Sequence, residues 1–206
     1  MILLGCINAC PDSRGIPHYI IEPEEEPLPF RDLEDFETWL REDYIHGMEH
    51  STTYYSQHNI ECVGIFAQNK NFEKCFLQYP NPTHEYSLHF QESLRGKITC
   101  HNHPSGQTFS WPDVAAWATL QMQEIRVIAS YNAGNYRTFI IKRLNQNLPT
   151  WDEIQDEIHK EDPFLSYSRE NNERRHRCLL RLKELDYFEY SVDPPIVLRE
   201  YPQVND

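Results

Sequence analysis

Two histidines separated by one residue, then a serine and an aspartate, are the part of this sequence best suited to chemistry. The histidines are His101 and His103, and Ser110 and Asp113 follow after a short loop. Imidazole nitrogens and carboxylate oxygens are good zinc ligands, and a site with three protein ligands leaves room for a reactive water. The spacing therefore predicts a zinc ion bound by His101, His103 and Asp113.

The residues around the histidines have the pattern of a strand followed by a turn. Residues 97–100 are mostly β-prone and predict a buried strand that runs into His101. Because side chains alternate along a strand, His101 and His103 should point to the same side. Pro104 should end the strand, and the Ser-Gly pair at 105–106 should supply the turn.

A helix is predicted to begin directly after Ser110. Serine is a favoured N-cap residue, and Asp113 occupies the third helical position, where a capping box needs an acidic side chain. Apolar residues such as Val114 and Trp117 follow and favour a helix. Ser-x-x-Asp taken alone is more typical of helix capping than of catalysis, but one helical turn can serve both purposes.

These residues make the chain resemble the JAB/MPN family of metallopeptidases. The JAMM motif of that family is a distant glutamate, then His-x-His, a short loop and Ser-x-x-Asp. The glutamate usually opens a strand of the form Glu-x-x-Gly with two apolar residues after it, a pattern that residues 61–66 of this chain share. His-Asn-His-Pro-Ser-Gly at 101–106 is similar to bacterial and phage-associated members. The resemblance covers about residues 36–142, and the loop before Ser110 is one residue shorter than in most members, as in a subfamily variant.

The resemblance implies a zinc-dependent peptidase or isopeptidase. Family members cleave isopeptide bonds at the C-terminus of ubiquitin-like modifiers or process other peptides, so the implied partner is a protein or peptide substrate. Glu61 would take a proton from the water and deliver it to the leaving amine, and Ser110 would donate a hydrogen bond to the oxyanion. Taken alone, Glu61 could equally be an exposed carboxylate at the start of a strand.

Two other functions stay open at this point. One is a catalytically inactive MPN-type scaffold that binds partners, although such members usually lack a metal ligand and this chain keeps all of them. The other is a zinc hydrolase that acts on a non-peptide amide. Nothing in the sequence specifies the substrate or the oligomeric state.

Composition and charge narrow the classes of partner. The chain has 206 residues, 39% of them hydrophobic, which is enough for one good core. Its net charge of -13 argues against nucleic acid as a partner, because phosphate backbones select Lys/Arg-rich surfaces. No apolar run approaches membrane-spanning length, and residues 1–6 are too short and lack the basic residues of a secretion signal.

The cysteines indicate a reduced, cytoplasmic location. None of the six forms a Cys-x-x-Cys pair, so a structural zinc ribbon is not expected. Cys62 and Cys100 lie in predicted strands and should be small buried hydrophobes. Alternation along the strand should point Cys100 away from the histidine side.

Three parts are predicted along the chain, and the fold class is α/β (α+β): a curved mixed sheet flanked by helices. Residues 1–29 should be an irregular arm, because residues 22–27 are rich in proline and glutamate. Residues 30–145 should form the JAB/MPN-like domain, and residues 146–206 a helical extension with an extended tail from Asp193. Within the domain, the periodicity predicts a helix over 32–55 and a strand that begins at Glu61. Further strands are predicted over 74–79, 86–90 and 97–101, and residues 125–128 and 136–141 should form a hairpin.

Two further segments have alternative interpretations. The basic run 174–177 in the second helix of the extension could clamp a substrate or partner, or it could be an outer helix face whose cations pair with acidic residues. Phe109 and Trp111 could border a substrate groove that favours glycine before the cleaved bond, or they could pack into the core behind the helix.

Overall fold

Eight strands assemble into one sheet in the computed structural model of this chain. The structure describes residues 8–11, 17–21, 30–45, 61–78, 94–103, 106–132, 135–144, 149–161 and 172–196. The strands are β1 (Asn8–Pro11), β2 (Pro17–Ile21), β3 (Glu61–Phe66), β4 (Phe72–Gln78), β5 (Ile98–His103), β6 (Glu124–Asn132), β7 (Asn135–Lys142) and β8 (Glu189–Asp193).

Four α-helices accompany the sheet in the described part of the chain. They are α1 (Leu33–Trp39), α2 (Trp111–Thr119), α3 (Trp151–Glu161) and α4 (Asn172–Glu184). Asp32 caps α1 by accepting hydrogen bonds from two backbone amides of the first turn, and a π-helical segment, Leu40–Ile45, continues that helix.

The strand order across the sheet is β1-β2-β4-β3-β5-β6-β7-β8. Neighbouring strands run antiparallel, except that β5 and β6 are parallel. A parallel pair needs a crossover connection, and α2 lies in the segment that joins β5 to β6. The chain therefore leaves β5 at His103 and must return along the sheet before it enters β6. This crossover places the N-terminal end of α2 near the C-terminal end of β5.

Each face of the sheet buries its own apolar cluster. Strand β3 alternates between the two clusters, as a strand that is buried on both faces must. Val63 and Ile65 pack with residues of α2, α3 and α4, whereas Cys62 and Phe66 pack with residues of α1. Helices thus contact both faces, and β5 and residues 62–66 of β3 are buried between them.

Gly64 allows α1 to approach β3 closely. A Cβ atom at this position would lie 2.9 Å from Cζ of Phe36 and 2.7 Å from Cε2 of Phe66, closer than real Cβ contacts. The glycine of the Glu-x-x-Gly pattern is therefore required by the packing of two aromatic rings against the strand.

The predicted fold class is confirmed at the level of a mixed α/β architecture. Strand β3 begins at Glu61 as predicted, and β4 and β5 cover most of the predicted segments 74–79 and 97–101. Strands β6 and β7 form the predicted hairpin. The predicted helix over 32–55 is described only as far as Ile45, and the predicted strand at 86–90 lies outside the described residues.

The prediction of an irregular arm over residues 1–29 is wrong for β1 and β2. These two strands pair with each other, and β2 extends the sheet beyond β4. Their prolines stand at the ends of an outer hairpin, where a missing backbone N–H is tolerated. The glutamate-rich run at 22–27 lies outside the described residues.

The C-terminal extension adds a strand that the sequence did not indicate, and it shares the main core. Strand β8 pairs with β7, so residues 189–193 belong to the sheet. Ile154 of α3, Leu179 of α4 and Tyr190 of β8 pack in the same cluster as Val127 of β6. The boundary predicted near residue 146 is therefore not a break in packing.

Candidate metal centre

His101, His103 and Asp113 converge at the junction of β5 and α2. The Nε2 atoms of the two histidines are 3.1 Å apart. Asp113 Oδ1 lies 3.5 Å from Nε2 of His101, and Asp113 Oδ2 lies 3.3 Å from Nε2 of His103. All three residues are buried, so the structure brings together the three ligands that the sequence predicted.

The separations of these donor atoms fit one metal ion. Bonds of about 2.0–2.1 Å in a tetrahedron place neighbouring ligand atoms about 3.3–3.4 Å apart. The histidine nitrogens are 3.1 Å apart, and the two carboxylate oxygens of Asp113 lie 3.5 Å (Oδ1) and 3.3 Å (Oδ2) from one histidine nitrogen each, on both sides of that value. His101 is 1% exposed, whereas His103 and Asp113 are 7% and 8% exposed. The group could therefore hold one metal ion, and it is almost completely shielded from solvent.

The hydrogen bonds of His103 direct its Nε2 towards the other two candidate ligands. Its Nδ1 lies 3.1 Å from the carbonyl oxygens of both Gln107 and Thr108, so Nδ1 carries the proton and donates it. Nε2 then faces His101 and Asp113, in the position from which it could bind a metal ion. Nδ1 of His101 is itself buried without a hydrogen-bond partner among the described residues.

Burial sets the protonation states of the ligands in a way that suits metal binding. Burial, together with the neighbouring His103, lowers the pKa of His101 to about 4, against the opposing effect of Asp113. Burial also acts to raise the pKa of Asp113. The charges on His101 and His103 and the hydrogen bonds from His103 and Ser110 outweigh burial and hold that pKa below its ordinary range. At neutral pH His101 is thus a neutral imidazole and Asp113 a carboxylate.

A capping box orients Asp113. The backbone N–H and the hydroxyl of Ser110 both donate to Oδ2 of Asp113 at 2.7 Å, and Asp113 N donates to Ser110 Oγ at 3.3 Å. The predicted N-cap is confirmed, and one helical turn both caps α2 and aims the carboxylate. In this structure the Ser110 hydroxyl is bonded to the ligand, and its function as an oxyanion donor stays a prediction.

Gly106 shapes the turn that leads from His103 towards Ser110. Its φ is +69°, and its N–H donates to the carbonyl oxygen of His103 at 3.1 Å. A Cβ atom here would lie 2.2 Å from the backbone oxygen of Ser130, so only glycine fits. Pro104 and Ser105, predicted to end the strand and start the turn, lie outside the described residues.

The backbone of Glu61 begins β3 on the strand that neighbours the ligands. Val63 lies opposite His101, and Glu61 and His103 are each two residues beyond that pair. The side chain of Asn102 fastens the two strands there, because its Oδ1 accepts a hydrogen bond of 2.7 Å from Cys62 N. The side chain of Glu61 lies outside the described part of the structure, so its function as the proton carrier stays a prediction.

Phe109 and Trp111 pack into the core and do not line a groove. Phe109 is fully buried, with its ring centroid 6.5 Å from those of Phe139 and Tyr190. Trp111 is 5% exposed and belongs to the same cluster. Of the two alternatives for these residues, packing behind the helix is correct. The glycine preference that rested on a groove at these residues therefore loses its basis.

The contact of α4 with the loop between His103 and Ser110 was not predicted from the sequence. Of the basic run, Arg177 forms an ion pair with Glu173, but Arg175 and His176 are buried. Arg175 precedes Leu179 and Leu182 by four and seven residues, and both leucines are buried. That helical spacing was a usable signal that Arg175 lies on the inner face.

Comparisons with protein-family models, curated proteins and solved structures found no match for this chain. Among the described residues, none of the helices combines the length and apolar character needed to span a bilayer.

Replacing any one ligand should abolish tight metal binding, because each supplies one of three donor atoms. We expect wild-type protein to bind one zinc per chain, and His101→Ala or Asp113→Ala to lose it, by elemental analysis after dialysis against limiting zinc. His159→Ala, which removes an exposed histidine of α3, is the control and should retain the metal. Retention of stoichiometric zinc by both ligand variants would contradict this assignment.

Ser110→Ala should weaken metal binding as well as the helix. Loss of the N-cap should lower the free energy of unfolding by about 1 kcal/mol, measured by urea denaturation of the metal-free protein. Thr150 and Glu153 make the same three hydrogen bonds at the start of α3, away from the ligands, so Thr150→Ala is a matched control. Thr150→Ala should destabilise similarly and leave zinc affinity unchanged. Equal zinc affinities of the two variants would show that the cap of α2 does not orient Asp113.

Proposed function

We propose that this chain is a zinc-dependent peptidase or isopeptidase with a JAB/MPN-type fold. The observation that carries the proposal is the buried group of His101, His103 and Asp113, whose donor atoms all lie within 4.8 Å of one another. It lies where a strand ends and a serine-capped helix begins, in the order of the JAMM motif. The mixed sheet with helices on both faces is compatible with that fold.

Zinc is the metal that this donor set favours. Two imidazole nitrogens and one carboxylate oxygen are typical of catalytic zinc sites, which keep one position open for water or substrate. When bound there, zinc would polarise a carbonyl group and make water acidic enough to act near neutral pH.

The residues of the chain would divide the remaining chemistry. Glu61 would carry a proton from the attacking water to the leaving amine. It begins the strand next to β5, which carries His103, and it is not one of the three proposed metal ligands. Ser110 would hold Asp113 in place through the hydrogen bonds that it donates. An oxyanion contact from Ser110 would require its hydroxyl to turn away from Asp113.

The substrate would be a peptide or protein, with the C-terminus of a ubiquitin-like modifier as one option. The net charge of -13 favours a partner with a basic face over nucleic acid. The buried thiols of Cys62, Cys75 and Cys100 are outside any disulfide, which fits a reducing, cytoplasmic location.

Glu61→Gln should separate hydrolysis from metal binding. The amide is nearly isosteric with the carboxylate but cannot carry the proton, so zinc content should stay at the wild-type value while turnover falls by about 100-fold or more. The assay is cleavage of a fluorogenic peptide library and of isopeptide-linked substrates by zinc-loaded protein.

The matched control for this variant is Glu73→Gln, a carboxylate on neighbouring β4 that forms an ion pair with Lys97 and should not affect turnover. Wild-type turnover by Glu61→Gln would assign the proton transfer to another residue. Zinc-loaded wild type that cleaves none of these substrates, yet binds a protein partner, would instead favour the inactive scaffold.

A further inference from the structure

Helix α4 and strand β8 hold the loop that connects the two parts of the metal centre. The loop, residues 106–110, lies between His103 on β5 and the N-terminus of α2. It supplies both carbonyl oxygens that accept the Nδ1 proton of His103, at 3.1 Å each. Any group that fixes those carbonyls also fixes the direction in which Nε2 of His103 points.

Asn172 and Tyr190 bind Thr108, which carries one of those carbonyls. The backbone N–H of Thr108 donates to Oδ1 of Asn172 at 2.7 Å. The Thr108 hydroxyl lies 3.1 Å from the Tyr190 hydroxyl, which in turn lies 2.8 Å from Nδ1 of His176. Thr108 and Tyr190 are almost fully buried, so water competes little for these bonds.

Arg175 binds the residues on either side of Thr108. Its Nη2 donates to the side-chain oxygen of Gln107, and its Nη1 donates to the carbonyl oxygen of Phe109 at 3.4 Å. Arg175 is 8% exposed, so its guanidinium lies in the protein interior. The guanidinium also lies close enough to Asp113 for their charges to interact. A buried cation in this position restrains the loop more strongly than a neutral contact would.

We infer that Asn172 and Arg175 are positioning residues for the metal ligand His103, which act through the carbonyl groups of Gln107 and Thr108. The C-terminal segment is then part of the proposed metal centre, although none of its described residues supplies a ligand. This inference rests on the metal centre of the proposed function and is independent of the reaction catalysed there.

Asn172 offers a test in which one variant keeps the contact and another removes it. Asn172→Ala removes the acceptor for Thr108 N, whereas Asn172→Asp keeps an oxygen in that place. We expect Asn172→Ala to bind zinc about 10- to 100-fold more weakly than wild type, and Asn172→Asp to restore most of the affinity. Zinc affinity is measured by competition with a chromophoric chelator, using the full-length protein. The visible absorption of the cobalt-substituted protein should change in Asn172→Ala and return in Asn172→Asp, because that spectrum reports on ligand geometry.

Two further variants complete the test. Arg181→Ala removes an exposed ion pair with Glu184 on the same helix and should leave the zinc affinity and cobalt spectrum unchanged. Gln107→Ala removes the acceptor for Arg175 but keeps the backbone carbonyl that binds His103, and should weaken zinc binding by about tenfold. Because Gln107→Ala leaves α4 intact, it decides the question if Asn172→Ala fails to fold.

The inference is overturned if Asn172→Ala and Gln107→Ala bind zinc as tightly as wild type with the same cobalt spectrum. Loss of stability with unchanged zinc affinity would mean that these bonds only attach α4 to the domain. Wild-type protein that binds no zinc would overturn the proposed function together with this inference. Tight zinc binding by wild type without any hydrolysis would overturn only the catalytic proposal.

Discussion

The parallel pairing of β5 and β6 is the constraint on which the rest of the candidate metal centre depends. Parallel neighbours cannot be joined by a tight hairpin, so the chain must cross over between them, and α2 forms in that crossover. Its N-terminus consequently lies close to the end of β5, which carries both histidines. The Ser110 cap then fixes Asp113 in the first turn, within 3.5 Å of His101 and 3.3 Å of His103.

Packing on both faces of the sheet prepares the ligands chemically as well as geometrically. Burial lowers the pKa of His101 to about 4, which keeps the imidazole neutral and its lone pair available to a cation. The same burial leaves little water to compete for the hydrogen bonds of the loop before α2. Arg175 and Asn172 of α4 form hydrogen bonds with this loop, so the C-terminal segment helps to hold the loop in place.

The features that could be predicted from the sequence are those with local causes. The His-x-His strand, the capping box and the β6–β7 hairpin follow from alternation, N-cap chemistry and turn residues within a few positions. The hairpin of β1 and β2, strand β8 and the burial of Phe109 depend on pairing or packing with distant segments. The hydrogen bond between Thr108 and Asn172 joins residues that are 64 positions apart, so no short-range sequence pattern could predict it. Only the spacing of Arg175 with Leu179 and Leu182 could have indicated that α4 turns a cation inward.

X-ray absorption at the zinc edge of the zinc-loaded protein tests the central claim most directly. Ligation by His101, His103 and Asp113 predicts a shell of nitrogen and oxygen atoms at about 2.0–2.1 Å, with the outer scattering of two imidazole rings. Cys100 neighbours His101 in sequence, but it packs in the cluster on the α1 side of the sheet and should contribute nothing. A sulfur shell at about 2.3 Å, or a spectrum without imidazole scattering, would contradict the assignment of the metal centre.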